Sequence, residues 1–413
     1  MIKVDEALRI ILNSVQTLDS DTISLANASG RVLQQDIFSN SDIPAFDNSA
    51  MDGYALRSAD TKGASPESPC KLEVLEELKA GMMSSSEIKN GQAVKIMTGA
   101  PIPEGADSVI MVEDTAKVEG RVLKPACRTG RAEVKVLKET APGENIRRAG
   151  EDIKKGELVI QKGTLLKAAH TGMLAALGIT KAAVARKPRI AILATGDELV
   201  DADEEAPKGK VRTSNTYALY SQILSYGGIP VNIGIARDEP EDIREKIESA
   251  LVCDLILTSG GVSMGDYDLV KDVLTKMGAD IKFWKIAMRP GKPILFSTLG
   301  EKPVFGLPGN PVSSMVGFEL FVRPAILKML GQTSDDRQEA EAFLEEDIEK
   351  KKGLRYFLRA QTRWEDGGYL TKTTGPQGSG ILKSMMLANS FIILPEEEEF
   401  IKKGAKVRVR FLN

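Results

Sequence analysis

Between residues 186 and 331 the sequence alternates short apolar runs with segments that have helical start and stop signals. Strands are predicted for three runs, at 189–194, 231–236 and 254–258. Ser214 and Asp238 stand where caps of the intervening helices are expected, and a further helix is expected from Asp268 to Met277. This alternation predicts βαβ units with a parallel sheet, in which ligands bind beyond the carboxyl ends of the strands.

The regions on either side of 186–331 have a different sequence pattern. At 413 residues the chain is too long for one hydrophobic core. Short β-like runs broken by turns predict a small β domain at 47–140, inserted into a discontinuous N-terminal domain formed by 1–46 and 141–185. From 332 a polar, helix-like linker leads into a C-terminal β domain that ends at 413. The predicted fold class is a multidomain protein of α/β and β domains, with the α/β domain at 186–331.

Composition excludes several classes of protein. Lys plus Arg (55) nearly balances Asp plus Glu (58), which argues against nucleic-acid binding. Three widely spaced cysteines fit neither a disulfide framework nor a zinc site, and therefore favour a reducing, cytoplasmic location. The first segment carries Asp5 and Glu6 within an amphipathic helical pattern, which is unlike a signal peptide. No apolar run approaches the ~20 residues of a membrane span, so no membrane association is predicted.

Three unusual segments follow one another between residues 258 and 314, and together they predict one anion site. The first, TSGGVSMGDYDLVK from Thr258, places a glycine pair and two aspartates after a strand. The second, KIAMRPGKPILF from Lys285, brings three cations into one loop stiffened by proline. The third, FGLPGNPVSS from Phe305, has the pattern of a helix start, where free N–H groups favour anions.

Further motifs carry a family resemblance. They are FDNSAMDGYAL from Phe46, IMTGAPIPEGADSVIMVEDT from Ile96, IRRAGEDI from Ile146, LATGDELV from Leu193 and QGSGILKSMMLANSFIILP from Gln377. With the three segments above, they resemble the MoeA family of molybdopterin molybdenumtransferases, and are similar to the E domain of gephyrin. The resemblance extends from about residue 3 to 411 with the motifs in order.

The resemblance implies a function in molybdenum cofactor biosynthesis. Members are elongated homodimers that take adenylylated molybdopterin and molybdate, with Mg²⁺, and release molybdenum cofactor and AMP. Their α/β domain resembles the molybdopterin adenylyltransferase fold, and their active cleft includes residues of the second subunit. Transient contacts with the adenylyltransferase and with proteins that deliver the cofactor to molybdoenzymes are implied, whereas nucleic acid and membrane are not.

The resemblance also implies roles for individual residues. Catalytic roles fall on Asp52, Thr98, Asp152, Glu198, Asp238, Asp268, Lys285 and Arg289. Substrate-binding roles fall on Asp47, Gly260, Gly261, Ser263, Lys292, Pro308, Asn310, Pro311, Ser313, Arg355 and Ser379, and the magnesium ligands would be Asp266 and Asp268. Either Arg355 or Arg359 corresponds to the fourth-domain arginine of the family. Arg289 stands where some members have lysine, which keeps the charge and adds a planar fork.

Other functions stay open. A paralogue that inserts tungstate would use the same residues, because the two oxyanions have nearly equal size and charge. A molybdopterin-binding scaffold without turnover is a second alternative, although a gephyrin-like scaffold is expected to carry an additional N-terminal adenylyltransferase domain. A plain nucleotide-binding α/β enzyme is a third, but the sequence lacks a GxGxxG or P-loop motif. His170 and Cys253 are interpreted as structural residues.

Overall fold

The computed structural model describes residues 1–79, 81–118, 132–261, 269–333 and 338–412. The pattern of contacts divides the chain into two compact units, Met1–Gln35 with Lys162–Asn413 and the inserted unit Asp36–Gln161. Each unit is described by itself. The finer division into four domains stays a prediction.

The inserted unit is built around a six-stranded sheet. In spatial order its strands are Ser108–Met111, Gly53–Leu56, Gln92–Ile96, Cys70–Leu78, Ala132–Val136 and Thr115–Lys117. All neighbours are antiparallel except Cys70–Leu78 and Gln92–Ile96, which run parallel. Separate apolar clusters contain alternate residues of these strands, so both faces of the sheet are covered. Two short ladders complete the unit, Asn48–Ser49 with Ile146–Arg147 and Ile37–Phe38 with Leu158–Ile160.

The larger unit contains the predicted α/β sheet. Its strands, in spatial order, are Ile229–Ala236, Arg189–Thr195, Leu255–Ser259, Lys302–Leu307, Leu295–Leu299 and Asp280–Phe283. The first four are parallel, Leu295–Leu299 pairs antiparallel with Lys302–Leu307, and Asp280–Phe283 pairs antiparallel with Leu295–Leu299. Ile190 and Ile192 belong to the core on one face, whereas Ala191 and Leu193 belong to the core on the other. Burial on both faces explains why these strands appear in the sequence as continuous apolar runs.

Helices flank this sheet. They are Ser214–Ser225, Pro240–Ala250, Leu269–Lys276, Pro311–Gly317 and Arg323–Met329, the last two joined by the π-helical turn Phe318–Val322. The predicted caps are wrong by one residue, because Thr213 and Glu239 occupy the cap positions and neither forms a side-chain cap. Asp238 makes no cap because its carboxylate accepts the N–H of Asp197 at 3.3 Å instead. The helix Val4–Ser14 packs into the core on one face of this sheet. The helix Ala168–Ala176 and the ladder of Ser20–Ser24 with Lys181–Ala185 also belong to this unit.

The C-terminal part forms a barrel-like sheet. Its strands are Arg355–Glu365, Gly368–Thr373, Glu339–Leu344, Lys406–Phe411 and Ser390–Leu394, and the last also pairs with the first. The short strand Met288–Arg289 adds to Arg355–Tyr356 in parallel. The predicted helix-like linker is wrong over 339–344, because alternate residues Ala342 and Leu344 face the core with the period of a strand. Smaller elements are the helix Leu382–Met386 and the pairs Ile348–Glu349 with Phe400–Ile401 and Leu199–Val200 with Val211–Arg212.

Candidate functional site

A cleft of about 1000 Å³ opens at the carboxyl ends of the parallel strands. This is the edge at which an α/β sheet is expected to bind its ligand. The cleft is lined by seven of the residues predicted from the sequence, namely Glu198, Asp238, Gly260, Gly261, Pro308, Asn310 and Pro311. The structure therefore brings together loops that follow four different strands.

The glycine pair in this cleft has a packing reason. Gly260 and Gly261 have φ values of +100° and +66°, where side chains other than glycine are strained. A Cβ on Gly260 would lie 2.4 Å from the carbonyl oxygen of Thr195, and one on Gly261 would lie 2.5 Å from Cγ2 of Val270. Close approach of neighbouring protein atoms is thus sufficient to require glycine at both positions.

Two acidic loops contribute to the lining of the cleft, through Glu198 and Asp238. Asp197 and Asp238 are reciprocally bonded, each carboxylate accepting the other's backbone N–H at 3.3 Å. The ammonium group of Lys210 donates a hydrogen bond to the carbonyl oxygen of Asp197. Glu198 and Asp238 are both exposed, so their carboxylates face solvent and any ligand in the cleft.

Asn215, which is not among the residues predicted from the sequence, ties two walls of the cleft together. Its side chain is only 8% exposed, and its amide nitrogen donates to Oγ of Ser259 at 2.7 Å and to the carbonyl oxygen of Gly309 at 2.8 Å. Because a carbonyl oxygen can only accept, the orientation of the amide is fixed. The amide oxygen is buried without a partner. An asparagine in a first helical turn resembles an ordinary capping residue, so no local signal in the sequence indicates this role.

We expect Asn215→Asp to lower turnover more than Asn215→Ala, because a carboxylate oxygen would face the Gly309 carbonyl and repel it. Either change should also cost about 1–3 kcal/mol of stability, since a hydrogen bond between cleft walls is lost. Steady-state kinetics and thermal unfolding provide the measurement. Ser225→Ala, at an exposed position of the same helix that does not line the cleft, is the control and should change little; wild-type kinetics in Asn215→Asp would contradict the bridging role.

A second cavity, of about 630 Å³, lies against the C-terminal sheet and is called here the arginine pocket. Its lining includes Arg289, Arg359, Lys350, Gln377 and Gly378. Arg359 is completely buried. It donates from Nε to Oγ of Ser384 and from Nη2 to the carbonyl oxygen of Gly378, both at 3.1 Å, while Nη1 has no partner.

The charge of Arg359 is not neutralised by any carboxylate of the described residues. Burial, with a smaller contribution from the nearby positive charge of Arg289, lowers the pKa of Arg359 to about 10. A buried guanidinium with only neutral acceptors and an unused N–H group is costly in the free protein. An oxyanion is the ligand that would compensate it.

Arg355, the other candidate from the sequence, is in a different situation. Its guanidinium donates two hydrogen bonds to Asp5, at 2.7 and 2.9 Å, and also contacts Glu396 at 3.1 Å. The bonds to Asp5, followed by the interaction with Glu396, raise the pKa of Arg355 despite its partial burial. Since this arginine is already paired with two carboxylates, Arg359 is the better candidate for an anion ligand.

The QGSG loop, which carries Ser379, contacts a segment that lines the cleft. The carbonyl oxygen of Ser379 accepts the N–H of Val312 at 3.1 Å, which places the QGSG loop against the start of the helix Pro311–Gly317. That N–H is therefore not available to an anion, contrary to the simplest interpretation of a helix start. Arg289 lies over the ring of Tyr356 at 5.7 Å. Lys285, Lys292, Ser313 and Ser379 line neither of the two cavities.

In the inserted unit, hydrogen bonds hold the carboxylates of two predicted residues, Asp52 and Asp47. Asp52 accepts the backbone N–H and the hydroxyl of Thr98, at 2.7 and 2.8 Å, and these bonds lower its pKa. Asp47 accepts the N–H of Ala149 at 2.8 Å and an Arg148 hydrogen bond at 2.6 Å, which lower its pKa as well. Asp152 is exposed. The structure brings Asp52 and Thr98 together, and their catalytic roles stay predictions.

The predicted magnesium ligands Asp266 and Asp268, together with Ser263, lie outside the described residues. Within the described part of the chain, no group of three His, Cys, Asp or Glu residues could hold a metal ion. Among the described helices, none is both long and apolar enough to cross a membrane. His170 accepts the N–H of Lys167 at 3.0 Å, and Cys253 is buried, as their structural interpretation requires.

Comparison with known proteins defines the class. Residues 2–178 match the MoeA N-terminal region (domain I and II), 191–328 match the probable molybdopterin binding domain, and 341–412 match the MoeA C-terminal region (domain IV). The chain belongs to the MoeA family.

Individual relatives agree over the full length. The molybdopterin molybdenumtransferase of Bacillus subtilis is 37% identical over 409 residues, which are 99% of this chain and 93% of the relative. The enzyme of that name from Staphylococcus epidermidis is 35% identical over 412 residues, covering 99% of this chain and 95% of the relative. The crystal structure of the molybdopterin biosynthesis moeA protein from Pyrococcus horikoshii OT3 superposes with a TM-score of 0.84 at 34% identity, covering 100% of both chains. These matches confirm the resemblance and the fold class predicted from the sequence.

Proposed function

We propose that this chain is a molybdopterin molybdenumtransferase that inserts molybdate into adenylylated molybdopterin and releases molybdenum cofactor and AMP. Its family and its full-length relatives support a transferase of molybdenum cofactor biosynthesis. We add to this that the substrate is adenylylated and that AMP is a product.

The observation that carries the proposal is the buried, uncompensated Arg359 beside Arg289 in the arginine pocket. Free molybdate is a tetrahedral dianion, and a guanidinium with an unused N–H group suits such an oxyanion. The large cleft, which is lined by exposed carboxylates and by glycine turns, has the volume for a pterin substrate. The loop that begins at Pro308 lines the cleft and continues to Val312, which contacts the QGSG loop near Arg359.

The proposal includes Mg²⁺, a homodimer and a cytoplasmic location. Magnesium is commonly held by one or two carboxylates together with substrate phosphates, a role proposed here for Asp266 and Asp268. The described residues alone do not form such a site, so no step of the reaction is assigned to the metal. Contacts with an adenylyltransferase and with cofactor-delivery proteins are part of the same proposal.

The test is incubation of the protein with adenylylated molybdopterin and Mg²⁺, with and without molybdate, measuring AMP release. We expect release to depend on molybdate and to fall at least about tenfold in Glu198→Gln and Asp238→Asn, because each removes a carboxylate charge from the cleft. Asp203→Asn changes an exposed acid that does not line the cleft and serves as the matched control. AMP release that is independent of molybdate, or absent, would contradict the proposal.

The two alternatives are arms of the same experiment. Tungstate in place of molybdate distinguishes a tungstate-inserting paralogue, which would release AMP faster with tungstate. A scaffold would bind adenylylated molybdopterin in equilibrium dialysis without releasing AMP. No observation in the structure favours either alternative over molybdate insertion.

A further inference from the structure

Arg212 is the only positively charged side chain among the described residues that line the large cleft. It is not among the residues predicted from the sequence, and the charged residues that share the lining with it are Glu198 and Asp238. A phosphate group in this cleft is therefore exposed to two carboxylates and one guanidinium. Because like charges repel, the guanidinium is the one side chain of the described lining that attracts such a group electrostatically.

The backbone holds Arg212 at the wall of the cleft. The strand Val211–Arg212 pairs in parallel with Leu199–Val200. The backbone N–H groups on either side of Arg212 donate to the carbonyl oxygens of Glu198 and Val200, at 2.8 and 2.9 Å. These bonds tie Arg212 to the segment that carries one of the two carboxylates of the cleft.

The guanidinium of Arg212 has one hydrogen bond within the described part of the chain. Its Nε donates to the carbonyl oxygen of Glu204 at 3.2 Å, whereas the carboxylate of Glu204 accepts the N–H of Asp201 at 3.1 Å. A carbonyl oxygen holds one end of the guanidinium without neutralising its charge. The N–H groups of Nη1 and Nη2 have no partner among the described residues, and together they form an edge that suits a phosphate group.

The loop 201–210, which supplies this carbonyl oxygen, is itself held at both ends. At its start, the carboxylate of Asp201 accepts a hydrogen bond from the hydroxyl of Tyr217 at 2.7 Å. At its end, the ammonium group of Lys210 donates to the carbonyl oxygen of Asp197. The guanidinium is therefore positioned before any ligand binds, which reduces the loss of conformational entropy on binding.

We propose that Arg212 is a substrate-binding residue that contacts a phosphate group of the substrate in the large cleft. The choice of adenylylated molybdopterin as that substrate rests on the proposed function. Its phosphoanhydride offers two sources of the same chemistry, the adenylyl phosphate and the phosphate on the pterin side. The contact with phosphate does not rest on the reaction, because binding can be measured without turnover.

Equilibrium dialysis with AMP and with adenosine tests the contact. The two ligands share the base and the ribose, and only AMP carries a phosphate. Measurements without Mg²⁺ ensure that no metal ion substitutes for the guanidinium. Arg212→Gln should weaken binding of AMP about three- to tenfold and leave binding of adenosine unchanged. Arg212→Lys, which keeps the charge and loses the planar fork, should retain part of the affinity.

Molybdopterin is the third ligand in this experiment, because it carries the phosphate that remains on the pterin side. Weaker binding of AMP in Arg212→Gln assigns the contact to the adenylyl phosphate, whereas weaker binding of molybdopterin alone assigns it to the phosphate of the pterin. Unchanged binding of both AMP and molybdopterin would overturn the proposal. Equal losses of affinity for AMP and adenosine would overturn it as well, since the side chain would then only shape the cleft.

Lys208→Gln is the matched control. Lys208 is an exposed lysine of the loop 201–210 that does not line the cleft, so its replacement removes one positive charge near Arg212 without removing a contact. The affinity of this variant for AMP should equal that of the wild-type protein. A loss as large as that in Arg212→Gln would show that only the overall charge of the loop matters, and would overturn the proposed contact.

Kinetics give a second readout. Arg212→Gln should raise the KM for adenylylated molybdopterin about three- to tenfold with a smaller change in kcat. Thermal unfolding should show that the variant is folded, because Arg212 is exposed, and that molybdate still stabilises it, because Arg359 lies in the other cavity. If the wild-type protein releases no AMP while binding of AMP depends on Arg212, the proposed reaction fails and the phosphate contact stands.

Discussion

Replacement of Arg359 by methionine should make the ligand-free protein more stable and at the same time abolish its response to molybdate. The native guanidinium is fully buried, and its pKa is lowered to about 10, first by burial and then by Arg289. Such a lowering corresponds to a cost on the order of 3 kcal/mol at neutral pH. Methionine removes that cost while filling similar space.

Thermal unfolding with and without molybdate provides the measurement. The wild-type protein should be stabilised by molybdate, and Arg359→Met should unfold a few degrees higher without molybdate and gain nothing from it. Arg355→Met is the matched control, and it should lower stability because Asp5 and Glu396 would lose their partner. A destabilised Arg359→Met protein that still binds molybdate would contradict the assignment.

The difference in stability between the wild-type protein and Arg359→Met should depend on pH in a defined direction. A group whose folded pKa is depressed below its unfolded value binds more protons in the unfolded chain between those two values. For Arg359 this window extends upward from about pH 10, and within it the native protein gains stability as pH rises. The stability advantage of Arg359→Met should therefore be fully present below pH 10 and should shrink above it.

Gly260→Ala is expected to be among the most damaging small substitutions in the cleft. A Cβ at this position would lie 2.4 Å from a backbone oxygen of Thr195, and the φ of +100° is itself unfavourable for alanine. Strain of this kind costs about 1–3 kcal/mol, and displacement of a buried strand end adds to it. Denaturant unfolding should report a loss of about 3 kcal/mol or more, accompanied by loss of turnover.

Gly309→Ala is the control for this substitution. Gly309 lines the same cleft, its φ is not positive, and a Cβ there would meet only the Cα of Gly260, at an ordinary 3.7 Å. The free energy of unfolding of the Gly309→Ala protein should remain within about 1 kcal/mol of the wild-type value. Equal losses in the two alanine variants would mean that the cleft is sensitive to any added atom, and not to the backbone conformation of Gly260.

Much of the α/β sheet could be predicted from local signals. The strand at Arg189–Thr195 is apolar on both faces, and the glycine pair after Leu255–Ser259 is a short-range signal, so both could be recognised without long-range information. The strand Glu339–Leu344 was misread because its charged residues suit a helix, and only its alternating burial, set by neighbours distant in sequence, made it a strand.

The site was less accessible to sequence reasoning, because its decisive contacts join distant residues. Arg355 and Arg359 could not be distinguished until Asp5, 350 residues away, was seen to pair with the first of them. The bridge from Asn215 to Gly309 spans 94 residues and leaves no periodic pattern. Lys271, in a helix, and Lys285, in a loop, both place an ammonium group over the ring of Trp284, and no local motif indicates this contact.

The parallel pairing of Met288–Arg289 with Arg355–Tyr356 has a consequence for engineering. The short strand precedes the α/β strand Leu295–Leu299 along the chain, yet it belongs to the C-terminal sheet and brings Arg289 to the arginine pocket. A chimera cut at a conventional boundary near residue 332 would separate the pocket's two arginines between parents. A graft intended to transfer oxyanion preference from one relative to another must carry the segment around Met288–Arg289 together with the barrel, as a single discontinuous cassette.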